Sequence, residues 1–147
     1  MPIYIDDTFS STEYILMAMT QLTDQGKFEV TEWDITVATW TLNKKKFGLS
    51  GYNELFPDHK KVYIELIRKY ANNTTGRMNI LSNFIVKTSK PSIYAPTEIG
   101  LKIGRTLLFA FTTGDYSFLN RFPKPNRIRA MYDYYSKLNQ EENLCNG

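Results

Sequence analysis

The stretch Phe56–Met78, "FPDHKKVYIELIRKYANNTTGRM", decides the fold of this chain, because it contains a helix whose start and faces are set by the sequence. Pro57 disfavours helical backbone at the residue before it, which places the helix start after the proline. Asp58 is a good N-cap, and its carboxylate suits the positive end of a helix. We therefore predict a helix that begins at His59 and ends at the pair of asparagines in the quotation.

The two faces of this helix differ in chemistry. At about 100° per residue, one arc is apolar and the opposite arc is mostly basic. The apolar arc consists of Val62, Tyr63, Leu66, Ile67 and Tyr70. The opposite arc consists of Lys60, Lys61, Ile64, Glu65 and Arg68. We expect the first arc to pack on a core and the second to face outward.

Two strand-like runs and another helix follow. The runs "MNILSNFIV" (78–86) and "SIYA" (92–95) have the length and composition of strands, and "KTSKP" between them is a turn, so we predict a hairpin. Pro96 and Thr97 then favour the start of a helix. Its apolar residues recur every four positions and form a stripe. The stripe consists of Ile99, Ile103, Leu107 and Phe111.

The chain before this stretch contains two further helices. In "SSTEYILMAMTQLTDQGKF" (10–28), Ser11 or Thr12 is the expected N-cap and Gly26 the expected end of a first helix. Its core-facing residues are predicted to be Ile15, Leu16, Met19 and Leu22. The next four residues, "KFEV" (27–30), are long enough only for a short strand.

The second helix is predicted over 32–42 from its N-terminal signal. Thr31 is an N-cap with Asp34 three residues later, a variant of the capping box. We expect this helix to bury Trp33 or Ile35, together with Val37, Trp40 and part of Leu42. Residues 43–57 read as a basic loop with one turn of helix.

Length and composition limit the class of protein. The chain has 147 residues, of which 42% are hydrophobic, so we expect one domain. No apolar run approaches the roughly 20 residues that a bilayer span needs, and the N-terminus is acidic where a secretory signal is basic, so we expect a cytoplasmic protein with no membrane partner. A single cysteine, Cys145, and a single histidine, His59, exclude an internal disulfide and a Cys- or His-rich metal site. We expect no metal and no cofactor.

Charge is distributed unevenly along the chain. Residues 1–42 carry seven acids and one base, whereas residues 43–137 carry seventeen bases and six acids. Such asymmetry indicates a surface that faces a polyanion, unless the fold interleaves the two halves.

The order helix, short strand, helix, helix, hairpin, helix resembles a winged helix-turn-helix domain of prokaryotic regulators and DNA-processing systems. The resemblance is carried by "EYILMAMTQLTDQGKFEVTEWDI" (13–35), "FPDHKKVYIELIRKY" (56–70) and "ILSNFIVKTSKPSIYAPTEIGLKIG" (80–104), and it covers roughly residues 10–113. The segment "PTEIG" (96–100) resembles the LTxxG that commonly follows the second wing strand. The loop 43–57 is longer than a tight helix-turn-helix turn. The implied fold is α+β, mainly α: an arm over 1–10, a winged-helix domain over 11–113, and a linker, helix and acidic tail over 114–147.

This resemblance implies double-stranded DNA as the partner. The third helix would enter the major groove, where the donor and acceptor pattern of the bases is readable. The residues expected at the DNA are Lys60, Lys61, Ile64, Glu65 and Arg68 on this helix, Lys87, Ser89 and Lys90 on the wing, and Lys44, Lys45 and Lys46 in the preceding loop. The simpler alternative for each basic group is a solvated face.

The last third of the chain has its own apolar stripe. Ile128, Met131, Tyr132, Tyr135 and Leu138 fall on one side of a helix predicted from Asn126 to about Leu138. With Leu107 and Phe111, they could form a two-fold interface in a homodimer, or they could pack back on their own domain. Arg121, Lys124, Arg127 and Arg129 are an alternative phosphate-binding arm.

We find no nucleotide-binding glycine loop, no Ser/His/Asp arrangement and no nuclease-like carboxylate pair in the sequence. We therefore expect a non-enzymatic DNA-binding protein, a transcriptional regulator or a module of a larger prokaryotic system. The alternative is a winged-helix adaptor that binds a protein partner and not DNA. An exposed apolar patch beside the third helix would favour the adaptor, and a cluster of free basic groups would favour DNA.

Overall fold

The computed structural model describes residues 8–71, 84–122 and 126–145, which form helices and one small antiparallel sheet. The helices are α1 (Ser11–Asp24), α2 (Glu32–Leu42), α3 (Lys44–Phe47), α4 (His59–Ala71), α5 (Glu98–Thr113) and α6 (Arg127–Cys145), with a short 3₁₀ helix at Leu119–Arg121. The strands are β1 (Val30–Thr31), β2 (Ile85–Lys87) and β3 (Ile93–Pro96). The expected mainly helical α+β class is confirmed.

The first two helices begin with reciprocal capping boxes. The Glu13 amide donates to the Ser10 hydroxyl, and the Ser10 amide donates to the Glu13 carboxylate. The expected cap at Ser11 or Thr12 is therefore wrong by one or two residues, because only Ser10 stands three residues before a glutamate. The predicted pair of Thr31 and Asp34 at the start of α2 is confirmed.

The sheet has the order β1-β3-β2, with both pairs antiparallel. The predicted hairpin is confirmed for the residues described, since β2 pairs with β3 with Val86 opposite Ala95. The short first strand pairs with the other edge of β3, with Val30 opposite Tyr94. The residues 78–83 that we expected at the start of the first hairpin strand lie outside the described residues.

The packing of α1 against α5 forms the centre of the core. Ile15, Leu16, Met19 and Leu22 are buried as predicted, and Ile103 and Leu107 of α5 are fully buried. A Cβ at Gly104 would overlap the Thr20 hydroxyl and approach the Leu16 carbonyl, so the backbone of α5 lies directly against these two groups of α1. Close contact at this crossing therefore requires a glycine.

The faces of α2 differ from expectation. Ile35, Thr36 and Thr39 are buried, whereas Trp33 and Val37 are exposed. Of the expected pair Trp33 or Ile35, the helix therefore buries Ile35, and the prediction that Val37 enters the core is wrong. Periodicity favoured the larger side chains, yet Thr36 can be buried because its hydroxyl donates to the Glu32 carbonyl of the preceding turn. Trp40 is only half-buried.

Helix α6 packs back onto its own chain, and it is longer than predicted. Ile128 and Met131 are buried in the common core, and the Tyr135 hydroxyl lies 2.5 Å from that of Thr106 on α5. The Arg127 guanidinium donates to both carboxylate oxygens of Glu13 at 2.6 Å, and both residues are almost fully buried. The last helix is thus fastened to the start of the first.

The stripe that we considered for a homodimer lies largely inside the protomer. Leu107, Ile128 and Met131 are buried. Phe111, Tyr132, Tyr135 and Leu138 are half-buried, with Phe111 against the Phe9 ring and Tyr132 against the Phe84 ring. These placements agree with the alternative in which the stripe packs on its own domain, because a side chain buried in the core offers no surface to a second copy.

Candidate nucleic-acid interface

Helix α4 begins as the sequence predicts. The Lys60 amide donates to the Asp58 carboxylate at 3.1 Å, and the Asp58 amide donates to the Phe47 carbonyl at 2.8 Å. Val62 and Leu66 are fully buried, so the opposite side of the helix faces outward. Of the predicted contacts on this face, Lys60 is exposed.

The other predicted contacts on α4 are less accessible. Ile64 and Glu65 are half-buried. Lys61 is half-buried too, and its ammonium donates to the Gly48 carbonyl at 2.8 Å, which holds the preceding loop against the helix. Lys61 is therefore a structural residue in this conformation. The side chain of Arg68 lies outside the described residues.

The three lysines of α3 have three different environments. The Lys46 ammonium donates to the Phe9 carbonyl at 3.1 Å and lies 5.5 Å from the centre of the Tyr14 ring. The Lys44 ammonium lies 4.8 Å from the centre of the Trp40 ring, within the range of a cation–π contact. Lys45 is exposed. Of the three lysines of α3, Lys45 is thus the one for which the described residues show no hydrogen bond or cation–π contact of the ammonium group.

Of the three hairpin residues predicted to contact DNA, two are exposed and the third, Lys90, forms an ion pair. Lys87 and Ser89 are exposed. The Lys90 ammonium lies 3.3 Å from the Glu29 carboxylate, and both side chains are more than half exposed. A pair this exposed contributes little to stability, so Lys90 can exchange Glu29 for another anion at small cost.

Of the alternative phosphate-binding arm, the structure describes Arg121 and Arg129, which are exposed, and Arg127, which is buried. Arg127 is buried in its contact with Glu13, and the Arg121 guanidinium lies over the rings of Phe118 and Tyr134. Arg129 is exposed. Lys124, the fourth member of the arm, lies outside the described residues.

A stack of three rings joins the starts of α2 and α4, and our sequence reasoning missed it. The His59 ring lies between Trp33, at 3.9 Å between centroids, and Tyr63, at 5.1 Å. The His59 Nε2 atom is 3.5 Å from a carboxylate oxygen of Glu32. The stack locates the first turn of α4 beside the first turn of α2. A contact between two residues 26 positions apart, Trp33 and His59, cannot be predicted from the spacing of residues within one helix.

The loop between α3 and α4 is ordered by hydrogen bonds and displays large apolar side chains. The Leu49 amide donates to the Phe56 carbonyl at 2.9 Å, and Trp40 Nε1 donates to the Asn53 carbonyl at 2.8 Å. Leu49, Tyr52, Leu55 and Phe56 are nevertheless exposed. We treated this loop only as a basic linker, although four large apolar residues between 49 and 56 are an unusual composition for a solvated loop.

The described residues contain no group of three or more His, Cys, Asp or Glu side chains placed to hold a metal ion. Within those same ranges, no helix combines the length and apolar character that crossing a bilayer requires. Comparison with protein-family models, with curated proteins and with solved structures gave no match to this chain.

Proposed function

We propose that this chain is a winged-helix protein that binds double-stranded DNA and acts as a transcriptional regulator, without enzymatic activity. The observation that supports this proposal is the element order with the β1-β3-β2 sheet, in which α4 precedes a hairpin whose second strand pairs with the strand before α2. A winged-helix domain has this order. Exposed lysines on α4 and on the hairpin, Lys60 and Lys87, are consistent with it.

The physical basis of the proposal is the fit of one helix into the major groove. The outward side of α4 carries Lys60 near its start and Ile64 one turn later. A lysine there can contact a phosphate or a guanine edge, and an apolar side chain can contact a thymine methyl. Lys87 on the hairpin would then contact a flanking phosphate. Lys61 is not included in the proposed contact, because its ammonium holds the Gly48 carbonyl.

The long connection between α2 and α4 changes how the helix would dock. A tight helix-turn-helix starts its recognition helix at the end of the preceding helix. Here the ring stack brings His59 beside Trp33, at the other end of α2. We therefore expect the DNA contacts to concentrate in the first turn of α4 and on the hairpin.

The test is a salt series of binding to a random-sequence duplex. Each lost phosphate contact reduces the slope of log affinity against log salt by roughly 0.9. We expect Lys60→Ala/Lys87→Ala to flatten the slope by about two such steps, whereas Lys137→Ala, which removes an exposed lysine of α6, should leave it unchanged. Absence of duplex binding at low salt would overturn the proposal.

A protein-binding adaptor is the second candidate function. The observation that favours it is the exposed apolar surface of the 49–56 loop, directly before α4. Three of the lysines that we expected at the DNA are also occupied within the chain, Lys46 and Lys61 by carbonyls and Lys90 by Glu29. If the salt series shows no binding, this candidate becomes the better supported one.

A further inference from the structure

The structure points to self-association: we propose that Trp33, Val37, Leu49, Tyr52, Leu55 and Phe56, called here the apolar patch, form a two-fold contact with a second copy of this chain. This inference does not depend on DNA binding. It assigns to the patch a role that sequence reasoning gave to the C-terminal stripe, which is largely internal.

The concentration of exposed apolar side chains is the first observation. Of nine large hydrophobic residues that are exposed among those the structure describes, six belong to the patch, with between 42% and 67% of each accessible. Single exposed hydrophobic residues are ordinary on protein surfaces, whereas a group of six within 24 positions of the chain requires an explanation.

Contacts tie the part of the apolar patch on α2 to the loop that carries the rest of it. On α2, Trp33, Val37 and Trp40 follow one another at spacings of four and three, so they form a single stripe. The loop contacts one end of this stripe, where the Asn53 carbonyl accepts the Trp40 indole hydrogen bond, and His59 at the start of α4 stacks on Trp33 at the other end. Val37 lies between these two contacts.

Within the loop, the four apolar residues are held close to one another. The Leu49 amide donates to the Phe56 carbonyl, and the Tyr52 amide donates to the Leu49 carbonyl. The Tyr52 and Phe56 rings are 6.5 Å apart. The Phe56 amide in turn donates to the Tyr52 carbonyl. Because these hydrogen bonds fix the loop backbone before association, little ordering entropy is lost on binding.

The area of the patch is somewhat below one side of a standard dimer interface. Six large side chains that are each about half exposed offer about 100 Å² apiece, on the order of 600 Å² together. This reaches the upper end of the largest apolar patch on an ordinary monomer, about 300–600 Å². With a polar border, it approaches the roughly 800 Å² per partner of a standard interface.

Exposed charges of both signs lie close to the patch in sequence, which suits a second copy of the same chain. Glu54 is exposed inside the loop, and Lys45 is exposed on α3 shortly before it. A two-fold contact presents the same surface from both sides, so a border that carries both signs can bring unlike charges together. A border of one sign would repel its own copy.

The test is the solution mass of the full chain by light scattering and sedimentation equilibrium across a wide dilution series. We expect a concentration-dependent dimer of twice the 17.1 kDa chain mass. Leu55→Glu should weaken association by at least about tenfold, because it introduces a charge at the centre of an apolar contact. Phe109→Glu is the matched control, since Phe109 is also about half exposed but lies on α5. We expect it to leave the dimer unchanged.

Circular dichroism of each variant establishes that the fold is retained. As an additional readout, Glu54→Lys should weaken the dimer and Glu54→Lys/Lys45→Glu should restore part of the loss. A chain that stays monomeric at the highest concentration overturns the inference. A dimer that resists Leu55→Glu, or that responds equally to Phe109→Glu, overturns it as well, since its interface then lies elsewhere.

Discussion

At the scale of single residues, the buried ion pair of Glu13 and Arg127 has the largest expected effect on stability. Arg127→Met should reduce the free energy of unfolding by about 3–5 kcal/mol, because it leaves the Glu13 carboxylate buried without its partner. Urea unfolding gives this value. Arg105→Met is the matched control: Arg105 also pairs with an acid, Asp24, at 2.9 Å, but both side chains are half exposed. The control should cost less than about 1 kcal/mol.

Equal losses in the two variants would contradict this expectation. The double variant Glu13→Gln/Arg127→Met distinguishes the loss of the ion pair from the cost of burying an unpaired carboxylate. It should recover part of the stability lost in Arg127→Met, because a neutral amide is less costly to bury than an unpaired carboxylate.

Asp115 gives a prediction for pH. The Ser117 hydroxyl donates to its carboxylate at 2.6 Å and the Ser117 amide donates at 3.0 Å, and these bonds lower the pKa of Asp115 below its ordinary value. A lowered pKa stabilises the folded chain above the ordinary pKa, and this contribution is lost as pH falls through the lowered value. Ser117→Ala should raise the pKa of Asp115 toward the ordinary value in an NMR titration. An unchanged titration would show that the hydroxyl has no such role.

At the scale of helices and loops, the crossing of α1 and α5 depends on Gly104. Gly104→Ala should destabilise the fold by about 1–3 kcal/mol, because its methyl group overlaps the Thr20 hydroxyl and forces the helices apart. In a solvent-exposed helix the same change is favourable by about 1 kcal/mol. Thermal or urea unfolding therefore shows directly whether Gly104→Ala lowers or raises the free energy of unfolding.

The Thr20→Ala/Gly104→Ala variant is the corresponding control. Thr20→Ala removes the hydroxyl that the new methyl group meets, so the double variant should lose less than the sum of the two single variants. Additive losses would indicate that the contact with the Leu16 carbonyl dominates.

The loop before α4 depends on one indole hydrogen bond. Trp40→Phe removes the donor to the Asn53 carbonyl and should cost about 1 kcal/mol. Hydrogen exchange should accelerate at the amides of Leu49 and Asp58, which close the loop onto Phe56 and Phe47. Trp33→Phe retains a ring beside His59 and should leave these two amides protected. Unchanged exchange in Trp40→Phe would contradict an anchoring role for the indole.

The helices and the hairpin were largely predictable, since their determinants are local. Thr31 with Asp34 and Asp58 before His59 fix two helix starts by hydrogen bonds within a few residues. The faces of α2 were not predictable. Whether Trp33 or Thr36 is buried depends on which elements pack against α2, and helical periodicity alone does not contain that information.

At the scale of the whole molecule, α6 should be required for folding. A chain that ends at Phe122 loses Ile128 and Met131 from the common core together with the partner of Glu13. We expect it to lose the single cooperative unfolding transition, measured by tryptophan fluorescence and circular dichroism. A chain that ends at Gln140 keeps these residues and should retain the transition. Cooperative unfolding of the shorter chain would show that α6 is a separate appendage.

The candidate interface was predictable only in part, because the availability of a charged group depends on tertiary contacts. The sequence identifies Lys60, Lys61 and Lys90 equally well as basic residues. Among these three, the structure described shows a side-chain partner for Lys61 and Lys90, and Lys60 is exposed. The distant contacts that occupy the other two, with Gly48 and Glu29, do not follow from spacing. The part of the apolar patch on α2 was missed for the same reason, whereas the composition of residues 49–56 already indicated the part in the loop.

The buried ion pair of Glu13 and Arg127 also has a consequence for synthesis of the chain. The two residues are 114 positions apart, so at about 5–20 residues per second the guanidinium is made roughly 6–23 s after the carboxylate. The ribosome also shelters the newest residues before it releases them. The first helix therefore emerges long before the segment that completes its surroundings, and its native contacts form only after α6 has been made.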